Sequence, residues 1–403
     1  MTEKASPPVN LDTVGKEPDG VDRRDLRFTA IHLANWRNFT SADAKLQSRM
    51  FLVGPNAAGK SNFLDAFRFL ADIVSVGGGF QSAVGRRGNV SMLRSFAARK
   101  NPAITIRATL GTDESPYEWV YELTFGQDNQ RRPIISREYV ERRGVVLLDR
   151  PNQDDREDSD RRFQTSLEQV NVNREFRDIA DFFASIRYRH IVPQLVREPD
   201  RSVGKSNDPF GGDFLEQIAR TNKRTRDSRL RRIVDALRVA VPQLQELELT
   251  TDVRGVPHLR GRYQHWRQHG AWQSEEHFSD GTLRLLGLLW AVTDGSGPIL
   301  LEEPELSLHA EIVRHISQML AQVQRRSGRQ IFLSSHSEEI LNDPGVALDE
   351  VLILRPKNEG TSVERIIDIP EAAAMRAAGI DLAEVLRGFT APKQASQLSL
   401  FAS

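Results

Sequence analysis

Cysteine is absent from this chain of 403 residues. Its absence excludes a disulfide framework, thiolate ligands for a metal and a cysteine nucleophile. Long apolar runs are absent too, since no stretch approaches the roughly 18 residues of a membrane-spanning helix. The N-terminal MTEKASPPVNLDTVGKEPDG also lacks the apolar core of a signal peptide. These absences predict a cytoplasmic protein with no membrane partner.

An excess of charge of either sign is missing as well, because 55 Lys and Arg residues balance 55 Asp and Glu residues. Any surface that binds nucleic acid must therefore be a local patch. Internal repeats and sustained heptads are also missing, which excludes a long coiled coil. The 39% of hydrophobic residues is typical of a globular protein. A length of 403 residues suits two or three domains, or one elaborated domain.

The order of predicted elements divides the chain into five segments. Residues 1–25 are polar and predict a disordered tail. Residues 26–150 contain apolar strands and end in β-rich runs that predict an antiparallel meander. Residues 151–275 are mainly helical, with a later β-hairpin, and predict an insertion or lid. Residues 276–390 alternate helix and apolar strand as in a parallel sheet, and residues 391–403 predict a flexible tail. The predicted class is α/β, with an antiparallel β subdomain and a helical insertion.

The first stretch with specific chemistry is FLVGPNAAGKSNFLDAFRFL, in which Gly54 to Ser61 fits the pattern G-x-x-x-x-G-K-[ST]. An apolar strand precedes it, and a helix with regularly spaced apolar residues follows. The glycines allow backbone N–H groups to surround a phosphate at a helix N-terminus. Lys60 would neutralise phosphate oxygens, and Ser61 would take a Mg²⁺ position. A chance glycine-rich turn is the weaker alternative because both flanks fit.

A pair of acids follows a second apolar strand in GPILLEEPELSLH. Glu302 and Glu303 lie at the C-terminal end of this strand, at the edge where parallel sheets bind ligands. One acid there can hold the water shell of a metal while the next polarises an attacking water. For the motif alone a solvated strand end is an equally good explanation, but beside a phosphate loop it becomes the weaker one.

Two further motifs carry groups that can meet a phosphate. FSDGTLRLLGLLWA places Ser279 and Gly281 at the start of an apolar helix, where backbone N–H groups are free. IFLSSHSEEIL places His336 just after another apolar strand, with Ser335 and Glu338 at the spacing of a capping box. Taken alone, this histidine is better explained as a packing or capping residue.

In this order the four motifs resemble those of the ATP-binding-cassette (ABC) ATPases. SDGT, EEPELSLH and SSHSEEIL resemble the soluble branch that includes RecF, SMC-type heads and the OLD-family ATPases. The resemblance covers most of the chain. It implies an ABC-type ATPase head that forms a head-to-tail homodimer around two ATP molecules, with Mg²⁺ as the metal.

The resemblance also implies roles for individual residues. ATP would be bound in one subunit by Gly54, Asn56, Gly59, Lys60 and Ser61. Ser279 and Gly281 would cover the γ-phosphate that the other subunit holds. Ser61 and Glu302 would hold the metal, Glu303 would orient the attacking water, and His336 would sense the γ-phosphate. Glu302 departs from the usual Asp by one methylene, and the glutamine loop has only a weak candidate, Gln81.

Two features of length restrict the branch. About 220 residues separate Ser61 from Ser279 without a heptad pattern, which excludes the long coiled-coil arm of SMC-type proteins. About 65 residues follow His336, including the predicted hairpin DEVLILRPKNEGTSVERIIDI, whereas OLD-family nucleases continue into a Toprim domain. The acidic run from Asp154 to Asp160 is a candidate metal site, but such runs are more often solvated loops. The sequence therefore predicts a stand-alone ATPase without a nuclease domain.

Two basic patches are candidates for DNA binding. The stretch RTNKRTRDSRLRRIVDALR contributes the candidates Arg224, Arg229, Arg231 and Arg232. The stretch RGRYQHWRQHG contributes Arg262, next to aromatic residues. Clustered arginines neutralise phosphates, and exposed aromatic rings stack on unpaired bases. A solvated arginine-rich helix or hairpin is an equally good explanation.

The C-terminal QLSLF resembles the short peptide by which bacterial replication and repair proteins bind the sliding clamp of DNA polymerase III. The residues that match are Gln397, Leu398, Leu400 and Phe401. A flexible tail would present the peptide in extended form, and burial of the last two residues would carry most of the affinity. The alternative is a tail that folds back onto its own domain.

Three functional hypotheses follow from the sequence. The leading one is a cytoplasmic, nucleoid-associated ATPase that acts on DNA in repair, replication or genome defence and is tethered to the sliding clamp. The second is an ATP-gated sensor or scaffold of an anti-phage defence system, whose output belongs to a separate effector protein. The third, the ATPase subunit of a membrane transporter, is disfavoured by the long insertion and by SDGT.

Overall fold

The structure is a computed structural model that describes residues 26–98, 102–202, 208, 210–264 and 271–391. The predicted clamp-binding peptide lies outside these residues. The strands are β1 (Arg27–Trp36), β2 (Phe39–Lys45), β3 (Arg49–Val53), β4 (Ile104–Gly111), β5 (Trp119–Gln127), β6 (Pro133–Arg142), β7 (Val145–Arg150), β8 (Arg187–Arg189), β9 (Leu244–Thr251), β10 (Pro257–Tyr263), β11 (Ala271–Ser274), β12 (Ile299–Glu302), β13 (Ile331–Ser334), β14 (Val351–Lys357) and β15 (Gly360–Arg365).

The described residues form fourteen α-helices. They are α1 (Lys60–Val74), α2 (Phe80–Gly85), α3 (Val90–Leu93), α4 (Gln153–Glu157), α5 (Arg177–Ser185), α6 (Pro193–Val196), α7 (Phe214–Arg220), α8 (Lys223–Leu237), α9 (Asp280–Thr293), α10 (Ala310–Val313), α11 (Ile316–Ser327), α12 (Glu338–Leu341), α13 (Pro370–Ala377) and α14 (Leu382–Thr390). Among the described residues, no helix is long and apolar enough to cross a membrane.

The main sheet has the strand order β15-β14-β3-β13-β12-β8. Its last five strands are parallel, and β15 pairs antiparallel to β14 as a hairpin. In β3, Met50 and Leu52 join one hydrophobic cluster while Phe51 and Val53 join the other. A parallel sheet that is covered on both faces needs strands that are apolar throughout. This double burial explains why the strands are continuous apolar runs in the sequence, and it confirms the predicted α/β class.

The first face of the main sheet packs against α1, α5 and a second, antiparallel sheet. This sheet has the order β2-β1-β4-β5-β6-β7 and contains the predicted meander. Aromatic rings fill the space between the sheets: the ring of Phe67 lies 4.7 Å from those of both Phe28 and Phe332, between centroids. Gln330, at the start of β13, also joins the sheets, since its amide pairs with the backbone N–H and C=O of Phe28 at 2.9 and 2.7 Å.

An acidic residue is used structurally in this half of the molecule. Asp155 lies in the acidic run that was a weak metal candidate, but the structure buries it against Arg150, with Nη2 and Oδ1 2.5 Å apart. Arg150 also donates to the buried Glu138 at 3.1 Å. Asn152 and Asp155 form a capping box at the start of α4. In the part of the chain that the structure describes, no group of three or more Asp, Glu or His side chains is arranged to hold a metal.

The second face of the main sheet is covered by α8, α9 and α11, together with the three-stranded sheet β11-β10-β9. The prediction placed residues 151–275 outside the ATPase lobes, but β8 lies in this segment and pairs in parallel with β12. Its sequence, RYR, is not an apolar run and so does not predict a strand. These three residues form a strand because they pair with the free edge of β12. The insertion between β8 and β12 therefore begins only after Arg189.

Two helices that the sequence analysis does not predict follow the last strand. Beyond the β14–β15 hairpin, α13 and α14 follow, and α14 buries Leu382, Val385 and Leu386 against the second cluster. Glu338 of α12 pairs with Arg387 of α14. These helices cover the main sheet beside β14 and complete its second face.

Candidate active site

The C-terminal ends of β3, β8, β12 and β13 meet at one edge of the main sheet. Because parallel strands present their carboxyl ends together, the residues after them converge. Residues 54–61 follow β3, Glu303 follows β12, and His336 lies two residues after β13. The structure thus brings the phosphate-loop pattern, the acidic pair and the histidine to one place.

Two glycines of the phosphate loop allow close approach of neighbouring groups. A Cβ on Gly54 would lie 2.4 Å from the carbonyl oxygen of Leu354. Gly59 has φ +96°, and a Cβ there would lie 2.1 Å from Nδ2 of Asn38. Glycine is required at both positions, since any side chain would displace the loop from the strands behind it. This is the local structure that the pattern predicts.

Asn38, in the turn between β1 and β2, holds the loop from behind. Its Nδ2 donates to the carbonyl of Ala58 at 3.0 Å and to Oγ1 of Thr361 at 2.7 Å, while its Oδ1 accepts from Asn62 at 2.8 Å. Sequence reasoning missed this residue. An asparagine in a hairpin turn carries no signal of a contact with a loop that lies about 20 residues away.

Lys60 is buried and folds over its own loop. Its Nζ donates to the carbonyls of Gly54 at 3.2 Å and Pro55 at 3.4 Å, and it lies 2.6 Å from Nε2 of His336. Burial lowers the pKa of Lys60, although the carboxylates of Glu303 and Glu302 act in the opposite direction. The ammonium group is therefore already surrounded by acceptors that belong to the protein.

Glu302 lies between two hydroxyl groups. The hydroxyl of Ser61 donates to its Oε1, and the hydroxyl of Tyr188 donates to its Oε2. Burial, and then the neighbouring charge of Glu302, raise the pKa of Tyr188. A hydroxyl and a carboxylate at the end of a phosphate loop are the oxygen ligands that Mg²⁺ prefers, so Ser61 and Glu302 fit the metal role. Tyr188 was missed because it lies in the unpredicted strand β8.

Glu303 has an unusual backbone conformation. Its φ is +43°, and its N–H donates to the carbonyl of Ser334 at 3.0 Å. Seven residues other than glycine have a positive φ in the described part of the chain, and three of them, Ala57, Glu303 and Ser307, lie in the loops after β3 and β12. Strained backbone of this kind concentrates at functional sites, which supports a role for the Glu303 side chain.

One nitrogen of His336 lies between a cation and an anion. Its Nε2 is 2.6 Å from Nζ of Lys60 and 3.1 Å from Oε1 of Glu303. The hydrogen bond to His336 lowers the pKa of Glu303, and the charges of His336, Lys60 and His190 add to this shift, while burial opposes it. A ring nitrogen accepts or donates but does not do both. Only one of the two contacts is therefore a hydrogen bond at any time.

Glu305 is a second carboxyl group that sequence reasoning missed. It is 8% exposed and accepts from the hydroxyl of Ser335 at 2.5 Å, while its Oε2 is buried without a hydrogen-bond partner. Burial raises its pKa. The predicted capping box of Ser335 and Glu338 is therefore wrong. The Ser335 hydroxyl donates to Glu305 and accepts from the N–H of Ser337, which is the N-cap residue of α12.

Ser279 and Gly281 lie at the start of α9 but face other partners. The hydroxyl of Ser279 caps the helix by accepting from the N–H of Thr282 at 3.1 Å. A Cβ on Gly281 would lie 2.7 Å from the carbonyl oxygen of Ser307. Neither contact involves the phosphate loop, so the structure does not bring these two residues to Lys60 within one chain.

Two further residues bear on the glutamine loop. Gln81 donates to the carbonyls of Pro133 and Phe163, both at 2.9 Å, so the structure engages it with the antiparallel sheet and its following segment. His190, directly after β8, lies 3.2 Å from the carbonyl oxygen of Glu302 and acts electrostatically on Glu303. Of these two segments, the one after β8 lies next to the acidic pair, while Gln81 contacts the antiparallel sheet and the segment after it.

The DNA-binding candidates divide into two groups. Arg224, Arg231 and Arg232 are exposed on α8. Arg229 pairs with Asp294 at 2.9 Å, and Arg262 pairs with Glu246 at 3.1 Å. Three of the five candidates are thus accessible to a partner, while two are already paired within the protein. The clamp-binding candidates Gln397, Leu398, Leu400 and Phe401 lie outside the described residues.

The chain matches the profile of a protein family. The family is described as "AAA domain, putative AbiEii toxin, Type IV TA system", and the match covers residues 49–342. This span includes β3, the phosphate loop, α9, the acidic pair and His336. None of the curated proteins matches the chain.

Solved structures share the fold. The chain is similar to an SMC head bound to the C-winged helix domain of ScpA, with a TM-score of 0.52 and 13% identity over 84% of this chain and 96% of that one. The Smc head domain of Pyrococcus furiosus with an extended coiled coil, bound to the C-terminal domain of ScpA, gives 0.51 and 10% over 87% and 100%. The Smc head domain of Pyrococcus yayanosii with a coiled coil and joint gives 0.50 and 10% over 88% and 99%. At these identities the likeness concerns the fold alone.

Proposed function

The chain belongs to this AAA-domain family and has the fold of an ABC-type ATPase head, and on that premise we propose that it binds ATP with Mg²⁺ and hydrolyses it to ADP and phosphate. The observation that carries the proposal is the convergence of Lys60, Ser61, Glu302, Glu303 and His336 at one edge of the main sheet. A phosphate-binding loop, a metal-binding pair and a carboxylate base are the parts that phosphoryl transfer to water requires.

Each side chain has a distinct task in this proposal. Lys60 leaves the carbonyls of Gly54 and Pro55 and binds the phosphate oxygens, while the loop N–H groups, including those of Asn56 and Gly59, surround the β-phosphate. Ser61 and Glu302 hold Mg²⁺, which when bound would neutralise charge on the phosphates. The hydrogen bond from His336 keeps Glu303 ionised, as a base that orients water must be.

Nε2 of His336 contacts both Lys60 and Glu303, so a movement of Lys60 changes what this nitrogen can bind. When Lys60 moves to the phosphates, Nε2 of His336 loses its 2.6 Å neighbour. The imidazole is then free to donate to Glu303 or to a γ-phosphate oxygen. His336 is therefore the residue that reports on whether a γ-phosphate is present.

The dimer is a further part of the proposal. Ser279 and Gly281 lie at the N-terminus of α9, a helix of 14 residues, and do not contact the phosphate loop of their own chain. Helix N-termini bind anions. A head-to-tail homodimer on ATP would bring this helix end of one subunit to the γ-phosphate held by the other. The expectation rests on the resemblance and on this separation.

The test of the enzyme proposal is hydrolysis by the purified chain and by Glu303→Gln. Removing a general base costs about 10²- to 10⁴-fold in rate, so Glu303→Gln should lose at least about 100-fold while it still binds ATP. The matched control is Glu311→Gln, which changes an exposed carboxylate in α10. Size-exclusion chromatography with ATP should show a dimer for Glu303→Gln. A rate for Glu303→Gln equal to that of the control would contradict the role of Glu303, and no hydrolysis by the parent chain would overturn the proposal.

Action on DNA is the proposed use of the ATPase. It is supported by the exposure of Arg224, Arg231 and Arg232 on one helix, since clustered arginines neutralise phosphates. DNA should stimulate hydrolysis in the parent chain and should fail to do so in Arg231→Gln/Arg232→Gln. A rate that is independent of DNA would favour the second hypothesis.

The second candidate function is an ATP-gated sensor or scaffold of a defence system with a separate effector protein. The description of the family, which names a putative toxin of a toxin–antitoxin system, favours it, as does the pairing of Arg229 and Arg262 within the protein. In that case ATP hydrolysis would not depend on DNA.

Tethering to the sliding clamp is proposed from the sequence QLSLF alone. Calorimetry should show micromolar binding of the full chain to the bacterial clamp. The variant Leu400→Ala/Phe401→Ala should abolish this binding, since buried apolar anchors dominate such interfaces. Equal binding by parent and variant would show that the peptide is not the contact.

A further inference from the structure

Glu303 and His336 lie in separate loops, after β12 and β13, but their side chains meet in the candidate active site. Nε2 of His336 is 3.1 Å from Oε1 of Glu303. The side chain of His336 is exposed, so packing contributes little to its position. The distance between the two groups therefore depends on how firmly the backbone of each loop is held.

The backbone hydrogen bonds of the main sheet end one residue before His336. The N–H of Ser335 still donates to the carbonyl of Leu52 in β3 at 3.1 Å. The N–H of His336 instead donates to a side chain, at 3.3 Å from Oε1 of Glu305. A side chain from the loop after β12 thus takes the place of the next strand bond, at the residue that carries the imidazole.

Glu305 binds both residues at the start of the loop after β13. Its Oε1 also accepts from the hydroxyl of Ser335 at 2.5 Å. Glu305 is 8% exposed and Ser335 is fully buried, so water does not compete for this bond. Glu305 lies two residues after Glu303 in the same loop. Its carboxyl group therefore joins the loop that carries the proposed base to the loop that carries His336.

The other oxygen of Glu305, Oε2, is buried without a hydrogen-bond partner among the described residues. An anionic oxygen in such a place is unfavourable, because a buried charge needs a partner. Burial raises the pKa of Glu305, and the charge of Glu303 adds to this shift, while the hydrogen bonds from Ser335 and His336 oppose it. The protonated acid still accepts at Oε1. Glu305 can thus hold the loop without a further negative charge beside the proposed base.

We propose that Glu305 is a positioning residue that fixes the backbone at Ser335 and His336. With this backbone fixed, the imidazole exchanges between Glu303 and a γ-phosphate oxygen by rotation of its side chain alone. The inference rests on the proposed hydrolysis of ATP and deepens it, because it names the residue that holds the group that senses the γ-phosphate. Glu305 acts through His336 and does not itself take part in the reaction.

The variants separate the hydrogen bonds of Glu305 from its charge and its volume. Glu305→Gln keeps an oxygen that can accept from both donors, whereas Glu305→Met has a similar length and no such acceptor. The matched control is Glu168→Met. Glu168 also accepts from a hydroxyl, that of Thr165 at 2.7 Å, and from a backbone N–H, that of Phe80 at 2.9 Å. These contacts lie at the start of α2, so the control loses similar bonds without a change in the candidate active site.

The measurements are kcat, the affinity for ATP and the NMR signal of the His336 imidazole in the full chain labelled at histidine. The signal is assigned by its loss in His336→Gln. We expect Glu305→Met to lower kcat by about 10- to 100-fold, since small displacements of a reacting group have effects of this size. The affinity for ATP should stay within about threefold of the parent, because only the hydrolysis step uses this position.

The other variants should behave like the parent. Glu305→Gln and Glu168→Met should both keep kcat within about twofold. The imidazole signal of His336 should shift in Glu305→Met and stay in place in these two variants. If Glu305→Met does not fold, Glu305→Asp replaces it, because its carboxyl group is one methylene further from both donors and should show the same loss.

Two results would overturn the inference. The first is an equal kcat and an equal His336 signal in Glu305→Met and Glu168→Met, which would leave Glu305 with a role in stability alone. The second is a loss of kcat in Glu305→Gln as large as that in Glu305→Met, which would assign the effect to an ionised charge. Absence of hydrolysis by the parent would overturn the proposed function instead, and the His336 signal would still decide whether Glu305 positions the imidazole.

Discussion

Tyr188 offers the sharpest test of how the acidic pair is held. Its hydroxyl donates to Oε2 of Glu302, while Ser61 donates to Oε1. Changing Tyr188→Phe removes one hydrogen bond and leaves the ring and its packing in place. If Glu302 binds Mg²⁺, the loss of this hydrogen bond should leave its carboxylate free to rotate and should lower the affinity of the site for Mg²⁺.

The structure allows the size of this effect to be worked out. A hydrogen bond to a charged group contributes about 1.5–3 kcal/mol, and loss of a partner that orients a metal ligand typically costs about 10- to 100-fold in affinity. Tyr188 is only partly buried, so water can replace part of the bond and the lower end applies. We expect the Mg²⁺ concentration for half-maximal ATP hydrolysis to rise about tenfold.

The assay is ATP hydrolysis over a series of Mg²⁺ concentrations, with Tyr139→Phe as the matched control. Tyr139 donates its hydroxyl to Oε2 of Glu141 at 2.6 Å on the antiparallel sheet. Both variants lose one hydroxyl-to-carboxylate bond, but only Tyr188 contacts the candidate site. The rate at saturating Mg²⁺ should fall less than the affinity. If both variants need the same Mg²⁺ concentration as the parent, Tyr188 does not position Glu302 and the reasoning is refuted.

Three other predictions concern stability and packing. Burial raises the pKa of Glu305 above its ordinary value of 4.5, so folding stability is lost as pH rises from that value toward the raised one. Glu305→Gln is uncharged at every pH, so its free energy of unfolding in urea should increase relative to that of the parent between about pH 4 and pH 8. A difference between the two proteins that is constant with pH would contradict the pKa shift. Arg150→Met should cost about 3–5 kcal/mol because it leaves the buried Glu138 without its cation. Arg314→Met, at the exposed pair with Glu311, should cost under about 1 kcal/mol in the same denaturation, and equal costs would refute the argument. Gly281→Ala would place a Cβ 2.7 Å from a backbone carbonyl oxygen; it should cost about 1–3 kcal/mol by overpacking, and an unchanged unfolding temperature would show that the loop yields.

The sequence predicted the central part of the fold because burial on two faces leaves a mark in composition. MFLV, ILL, IFL and VLIL are apolar throughout, and each lies in a strand of the main sheet. The residues that follow such strands must meet at one edge. The resemblance carried by the motifs after these strands predicts one site for Lys60, Glu302 and His336, and the structure brings their side chains together.

The residues that the sequence missed depend on tertiary contacts. Tyr188 and His190 lie in or after a strand of three residues that forms only because β12 offers a free edge. Asn38 reaches the phosphate loop from another strand pair. Glu305 follows a proline in an acidic stretch, where burial leaves no mark in composition. None of these residues lies in an apolar run or at a regular spacing.

Arg229 shows the same limit for charged residues. In the sequence it is one of several arginines in a basic helix and therefore a candidate for DNA. In the structure it pairs with Asp294, which lies 65 residues further along the chain, and its guanidinium stacks on Trp290 with 5.4 Å to the ring centroid. Only the packing of α8 on α9 distinguishes it from its exposed neighbours Arg231 and Arg232.

The side-chain amide of Gln330 joins the two sheets through hydrogen bonds. It replaces a pair of backbone bonds between β1 and the start of β13, and it also donates to the carbonyl of Gln47 at 2.8 Å. The other end of β13, about 13 Å away along four residues, leads to His336. Gln330 therefore joins the antiparallel sheet to the same strand that leads to His336, so any change in the position of β13 would reach both the candidate active site and a surface that touches no nucleotide.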